Sequence, residues 1–123
     1  MELFFRFYET YESVLPGLAS EMGRPVRLVR FPIPDRSIPT TEQMTAILNC
    51  IREEVDSGGV VYLHCLGGIG RTGTVLGCYF AEKGDQTPLE SLHALTAAEP
   101  EYFWPTPQTE EQRDFVLHWK RTL

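Results

Sequence analysis

Hydrophobic and polar positions change period along this chain, and the changes mark out its elements. Residues 3–7 form a short aromatic run between polar residues and predict a strand. Leu15, Leu18, Ala19 and Met22 recur at helical spacing and Gly23 follows as a stop, which predicts a helix over 15–22. Residues 26–31 are rich in branched apolar side chains and predict a second strand. Pro32 and Pro34 end it, because proline cannot donate to a ladder. The stretch 31–39, stiffened by three prolines, predicts a loop. Thr40 then offers an N-cap, and Gln43 three residues on makes a capping box. Met44, Ile47, Leu48, Ile51 and Val55 fall on one face of the helix that follows, and Ser57-Gly58-Gly59 closes it.

Residues 60–64 are nearly all apolar, the pattern of a strand buried on both faces. The segment 65–70 is glycine-rich. Val75, Leu76, Tyr79 and Phe80 restore a helical pattern over 72–83, which Gly84 ends. Leu89, Leu92 and Leu95 mark a helix beginning after Pro88. Residues 103–107 predict a loop, and 109–123 a last helix with Gln112, Phe115, Val116 and Trp119 on one side. Strands alternating with helices predict an α/β fold, a central and mostly parallel sheet flanked by helices. No repeat, low-complexity stretch or linker divides the chain, so residues 1–123 are expected to form a single domain.

Composition narrows the function. Hydrophobic residues make up 42% of the 123, which excludes a disordered tail or a fibrous repeat. Eleven basic against 17 acidic residues give a net charge of −6, so neither nucleic acid nor an anionic membrane surface is expected as a partner. No apolar run approaches the roughly 20 residues of a membrane span. The first residues carry neither a basic region nor a sufficient apolar run for a signal peptide. Three cysteines without paired spacing do not form a disulfide framework, which predicts reduced thiols and a cytoplasmic location.

The segment that carries chemistry is His64-Cys65-Leu66-Gly67-Gly68-Ile69-Gly70-Arg71-Thr72-Gly73. An apolar run delivers a cysteine into a glycine-rich turn, and an arginine follows six positions later where a helix begins. Glycines allow successive backbone N–H groups to converge on one anion. The helix N-terminus adds its positive end, and Arg71 can grip two phosphate oxygens at once. The same field favours the thiolate of Cys65, the reactive form of a cysteine nucleophile. A nucleotide P-loop is excluded, because no Gly-Lys-Ser/Thr ends the turn. Neither Cys65 nor Cys50 has a partner pair at metal-ligand spacing, so no metal and no cofactor is expected.

The pattern from His64 to Gly73 resembles the signature loop of the protein tyrosine phosphatase superfamily. Phe31-Pro32-Ile33-Pro34-Asp35, thirty residues ahead of Cys65, resembles the general-acid loop of its compact, dual-specificity-like members. Gln108-Thr109-Glu110-Glu111-Gln112 resembles the glutamine loop with which classical members position water. The resemblance implies that Cys65 attacks phosphorus and forms a cysteinyl-phosphate. It implies that Arg71 and the N–H groups of Leu66, Gly67, Gly68, Ile69, Gly70 and Arg71 hold the phosphate oxygens. Asp35 would protonate the leaving group and later activate water, and Thr72 would donate to the cysteine sulfur. His64 would orient the loop, and Gln108, with Gln112 a turn on, would position the hydrolytic water. The implied substrate is a phosphorylated protein or peptide. Arg36 reads as a solvated neighbour of the acid, and Cys50 and Cys78 as packed thiols.

Two departures qualify the resemblance. The chain starts late relative to the compact members, which implies an absent N-terminal edge strand; a fragment, a truncated start and an edge covered by a partner all fit. Leu66 and Ile69 are uncharged, which disfavours phosphoinositides with their extra ring phosphates. A phosphopeptide-binding module on the same fold and a sulfurtransferase stay open beside the phosphatase. The first is expected to lack Cys65, Arg71 or Asp35, and the second the Arg-Thr-Gly ending.

Overall fold

In the computed structural model, the described residues are 17–18, 20–23, 25–65, 70–97 and 106–121. Their regular structure is helical: α1 (Thr41–Asp56), α2 (Arg71–Glu82), α3 (Pro88–Ala97) and α4 (Glu110–Arg121). All four lie where the 3.6-residue period places them, to within a residue or two at most ends. Ahead of α1, Met22 N donates to Leu18 O at 3.0 Å, and Gly23, at φ +66°, stops that turn. Among the described residues, no helix is long and apolar enough to cross a membrane.

The start of α1 is set by Thr40, whose hydroxyl accepts from Gln43 N at 3.1 Å. Only this half of the expected capping box is seen, the Gln43 side chain instead donating to Pro32 O at 2.6 Å. The predicted apolar face is graded: Met44, Ile47 and Leu48 are buried, Ile51 is half-buried and Val55 is exposed. That face joins Ile33, Val75, Cys78, Ala81, Val116 and Trp119 in the core.

Helix α2 touches each of the other three. Its glycines make this possible. A Cβ on Gly77 would lie 2.9 Å from both methyls of Val116 and 3.1 Å from Leu92. One turn earlier, a Cβ on Gly73 would collide with the Thr106 hydroxyl and lie 3.2 Å from Pro107 Cα. The absent side chains therefore let α4 and its approach segment sit directly on the α2 backbone.

The expected parallel sheet is not present among the described residues. Residues 25–31 and 60–64 adopt no regular structure and take part in no ladder. Together with Ile47, Cys50, Ile51 and Glu54 of α1 they line an apolar groove of about 490 Å³. Val60 is 94% and Tyr62 87% exposed, while Val61 and Leu63 between them are half-buried. The segment thus keeps a two-residue alternation of burial, with one face covered. The error has a physical source: a continuous apolar run shows that two faces could be buried, not that anything covers the second. The strand predicted over 3–7 lies outside the described residues.

Helix α3 begins with Pro88 at its first position, where the missing N–H has no helical partner to lose. Asp85 precedes it and accepts from Thr87 N at 2.8 Å and from the Ser91 hydroxyl at 2.5 Å. These bonds, that from Ser91 foremost, hold the Asp85 carboxyl below the usual carboxylate range.

Two predictions follow from this packing and capping. In Gly73→Ala the clash with Thr106 and Pro107, of about 1–3 kcal/mol, outweighs a helix-propensity gain of about 1 kcal/mol. A net loss of up to about 2 kcal/mol in urea unfolding is expected, and a gain in stability would show that the contact yields easily. For Asp85 the folded-state pKa is the lower one, so its stabilisation is present above the unfolded value and lost as pH falls through the folded one. The stability gap between wild type and Asp85→Asn should be full near neutrality and close in strong acid. A gap that stays constant with pH would place the effect elsewhere.

Candidate active site

Three parts of the chain converge at the N-terminus of α2. The segment 60–64 leads into Cys65, which is 7% exposed. Gly70 caps α2, its carbonyl accepting from Thr74 N at 2.9 Å and from the Thr74 hydroxyl at 2.8 Å. Arg71 and Thr72 are the first two residues of the helix and both are buried. No acidic side chain occupies the first turn of α2, so nothing there offsets the positive end of its dipole. Residues 66–69 of the predicted phosphate cradle lie outside the described residues.

The second part is the proline-rich loop. Arg71 is 2% exposed, and a buried guanidinium needs partners. Its Nη1 donates to Ile33 O at 3.1 Å, and its Nη2 lies 3.6 Å from Asp35 Oδ1. Ile33 is itself fully buried in the core, which fixes the carbonyl that receives Arg71. The Asp35 side chain is 66% exposed, so its carboxylate reaches from solvent towards a buried cation. The fold thus brings together Asp35 and Arg71, 36 residues apart in the chain.

The third part is the start of α4. Gln112 is fully buried, and both of its amide heteroatoms lie 3.1 Å from where a Gly70 Cβ would be. Gln108 Oε1 lies 3.3 Å from the same point. Both predicted glutamines therefore border the last glycine of the signature loop. Gln112 Nε2 also donates to Ser37 O at 3.0 Å, joining α4 to the proline-rich loop. His64 completes the arrangement. Its Nδ1 lies 3.3 Å from Cys65 O, and since a carbonyl only accepts, Nδ1 carries the proton there.

Two residues were missed as part of this arrangement. Gln43 appeared only as half of a capping box, yet it holds Pro32 O. Ser37 carried no signal, because it acts through its backbone carbonyl. Arg36, read as solvated, is exposed, and it adopts φ +62° beside Asp35.

The remaining cysteines stand apart. Cys50 is half-buried on α1, with Arg27 Nη2 3.3 Å from its sulfur. Cys78 is fully buried in α2, and burial, reinforced by Glu82, pushes its thiol far above the ordinary range. Cys78 should therefore resist thiol reagents at pH 8 in the native protein and react once urea unfolds it, since only the thiolate attacks. Modification of native Cys78 at the rate of a free thiol would contradict this.

Comparison with known proteins gives the arrangement a context. A family described as "Tc-R-P: Polymorphic toxin system, DSP-PTPase phosphatase" matches residues 14–85, more than half of the chain, and the match includes Asp35, Cys65 and Arg71. The uncharacterized protein MJECL20 of Methanocaldococcus jannaschii is 38% identical over 88 residues, 72% of this chain and 56% of that protein. The dual specificity protein phosphatase CDC14B of Mus musculus is 37% identical over 67 residues, 54% of this chain and 13% of that protein. The chain spans about half the length of the first curated relatives it matches. Among solved structures, Tk-PTP in its active form superposes with a TM-score of 0.71 at 29% identity, covering 98% of this chain and 77% of that one.

Proposed function

The chain belongs to the DSP-PTPase phosphatases, compact members of the protein tyrosine phosphatase superfamily, and from that premise we propose that it hydrolyses phosphate monoesters on proteins through a cysteinyl-phosphate. The observation that carries this reading is the buried Arg71, first residue of α2, with Nη2 3.6 Å from the carboxylate of Asp35. A phosphate-gripping cation and a proton donor then share one mouth, with Cys65 six residues before the arginine.

In the first step the Cys65 thiolate attacks phosphorus and the bond from phosphorus to the ester oxygen breaks. Asp35 delivers its proton to that oxygen, since an alkoxide or phenolate leaves poorly unprotonated. Arg71 and the N-terminal end of α2 stabilise the charge on the non-transferring oxygens. The backbone N–H groups from Leu66 to Arg71 are assigned to the same task. In the second step water attacks the cysteinyl-phosphate, Asp35 takes the water's proton, and inorganic phosphate leaves as the thiolate is restored. Thr72 donates its hydroxyl to the sulfur, His64 fixes the Cys65 carbonyl, and Gln108, beside Gly70, orients the water.

The exposure of Asp35 suits a shallow mouth open to a phosphorylated side chain on a protein surface. The substrate is read as phosphotyrosine, with phosphoserine and phosphothreonine within reach of the same depth. Neutral Leu66 and Ile69 add no charge for further phosphates, which argues against phosphoinositides. Three cysteines without paired spacing suit a reducing cytoplasm.

The test is turnover of para-nitrophenyl phosphate without added metal, inhibited by vanadate. Cys65→Ser should lower kcat by about 10³-fold or more, as expected for loss of a nucleophile, while tungstate still binds. Activity of Cys65→Ser near wild type, or no turnover by the wild-type protein, overturns the assignment.

A further inference from the structure

Gln112 has no amide oxygen left for water. Its Oε1 accepts from Gln108 N and from Thr109 N, both at 3.1 Å, and these two bonds use both lone pairs. Gln112 N in turn donates to the Thr109 hydroxyl at 3.1 Å, which completes a reciprocal capping box at the start of α4. A capping box accounts for the oxygen end of this side chain. It leaves the nitrogen end unexplained, because capping does not require Nε2 to donate to Ser37 O across 75 residues.

Ser37 closes the turn that carries Asp35, its N donating to Pro34 O at 3.1 Å. On the other side of that turn, Ile33 O is held by Arg71 and Pro32 O by Gln43. We propose that Gln112 is a positioning residue for the general acid: its Nε2 fixes the Ser37 end of the loop to α4, as Arg71 fixes the Ile33 end to α2. This inference rests on the reading of Asp35 as the proton donor. With the Ser37 end released, the turn pivots about Ile33, and the largely exposed Asp35 loses its alignment with the leaving oxygen. The groups that grip phosphate are untouched, because Gln112 meets Gly70 through packing while Arg71 keeps its own partners.

Two variants separate the two ends of the amide. Gln112→Glu retains an acceptor for Gln108 N and Thr109 N but removes the donor to Ser37 O. Thr109→Ala weakens the cap but leaves Nε2 to Ser37 O in place. The readout is kcat/KM for phenyl phosphate, whose leaving group needs a proton, divided by that for para-nitrophenyl phosphate, whose leaving group needs it less. This ratio cancels the amount of folded enzyme, so a variant that folds poorly still reports. Gln112→Glu should lower the ratio about 10-fold, within the penalty for a misplaced catalytic group. Thr109→Ala should lower the melting temperature and leave the ratio within about 2-fold of wild type, as a lost cap costs stability alone.

An unchanged ratio in Gln112→Glu, or an equal fall in both variants, overturns the proposal. Asp35→Ala runs alongside as the reference. If Asp35→Ala lowers the ratio and Gln112→Glu does not, only the role of Gln112 falls. If Asp35→Ala also leaves it unchanged, the proton donor is misassigned and the inference falls with it.

Discussion

The burial of one guanidinium organises this molecule. Arg71 cannot lose its proton, and it sits 2% exposed at the head of the central helix. Removing such a charge from water costs several kcal/mol unless partners replace the lost hydration. Two of its partners come from the proline-rich loop, the carbonyl of Ile33 and the carboxylate of Asp35. The loop is therefore bound to the site by the electrostatic need of the arginine. Burying Arg71 under this loop leaves the cation dry, fixed and faced by a carboxylate.

A second constraint places the glutamines. Gly73 and Gly77 lie one turn apart on α2, and their missing side chains admit Thr106, Pro107, Val116 and Leu92 to near contact with the helix backbone. That close approach brings the start of α4 up against Gly70. Side chains at the two glycines would lift α4 away, and with it Gln108 and Gln112. Core packing and site geometry are thus one fact seen from two sides: the helix that presents Arg71 is also the surface on which α4 is seated.

The helices were legible because each has a full apolar face and a readable stop, as with Met44, Ile47 and Leu48 before Ser57, or Val75 before Gly84. Asp35 and Arg71 were each picked out by motif and spacing, while the 3.6 Å contact between them emerges only from the structure. The segments 25–31 and 60–64 were not legible, because the run 60–64 reports its own hydropathy and says nothing of what lies opposite Val60 and Tyr62. The two tethering glutamines were half legible. Gln43 and Gln112 each sit three residues after a threonine cap, and that pattern describes the local hydrogen bond. Their Nε2 atoms go instead to Pro32 O and Ser37 O, backbone groups with no signature in side-chain identity.

The backbone of the acid loop explains why so many tethers are spent on six residues. Arg36 holds φ +62° at the third position of the turn from Pro34 to Ser37, a conformation suited to glycine. For a residue with a Cβ this costs on the order of 1 kcal/mol, and it persists only where the surroundings determine the backbone from both sides. Here they do: Pro32 O and Ile33 O are held by Gln43 and Arg71 before the turn, and Ser37 O by Gln112 after it. Each bond contributes about 1 kcal/mol net, so together they exceed the strain. With the strain so opposed, the turn keeps one shape, and that shape points Asp35 back at Arg71. Proline stiffness alone would limit the loop's freedom without choosing its direction. The direction comes from three side chains on three helices, each reaching a backbone carbonyl of the same short segment.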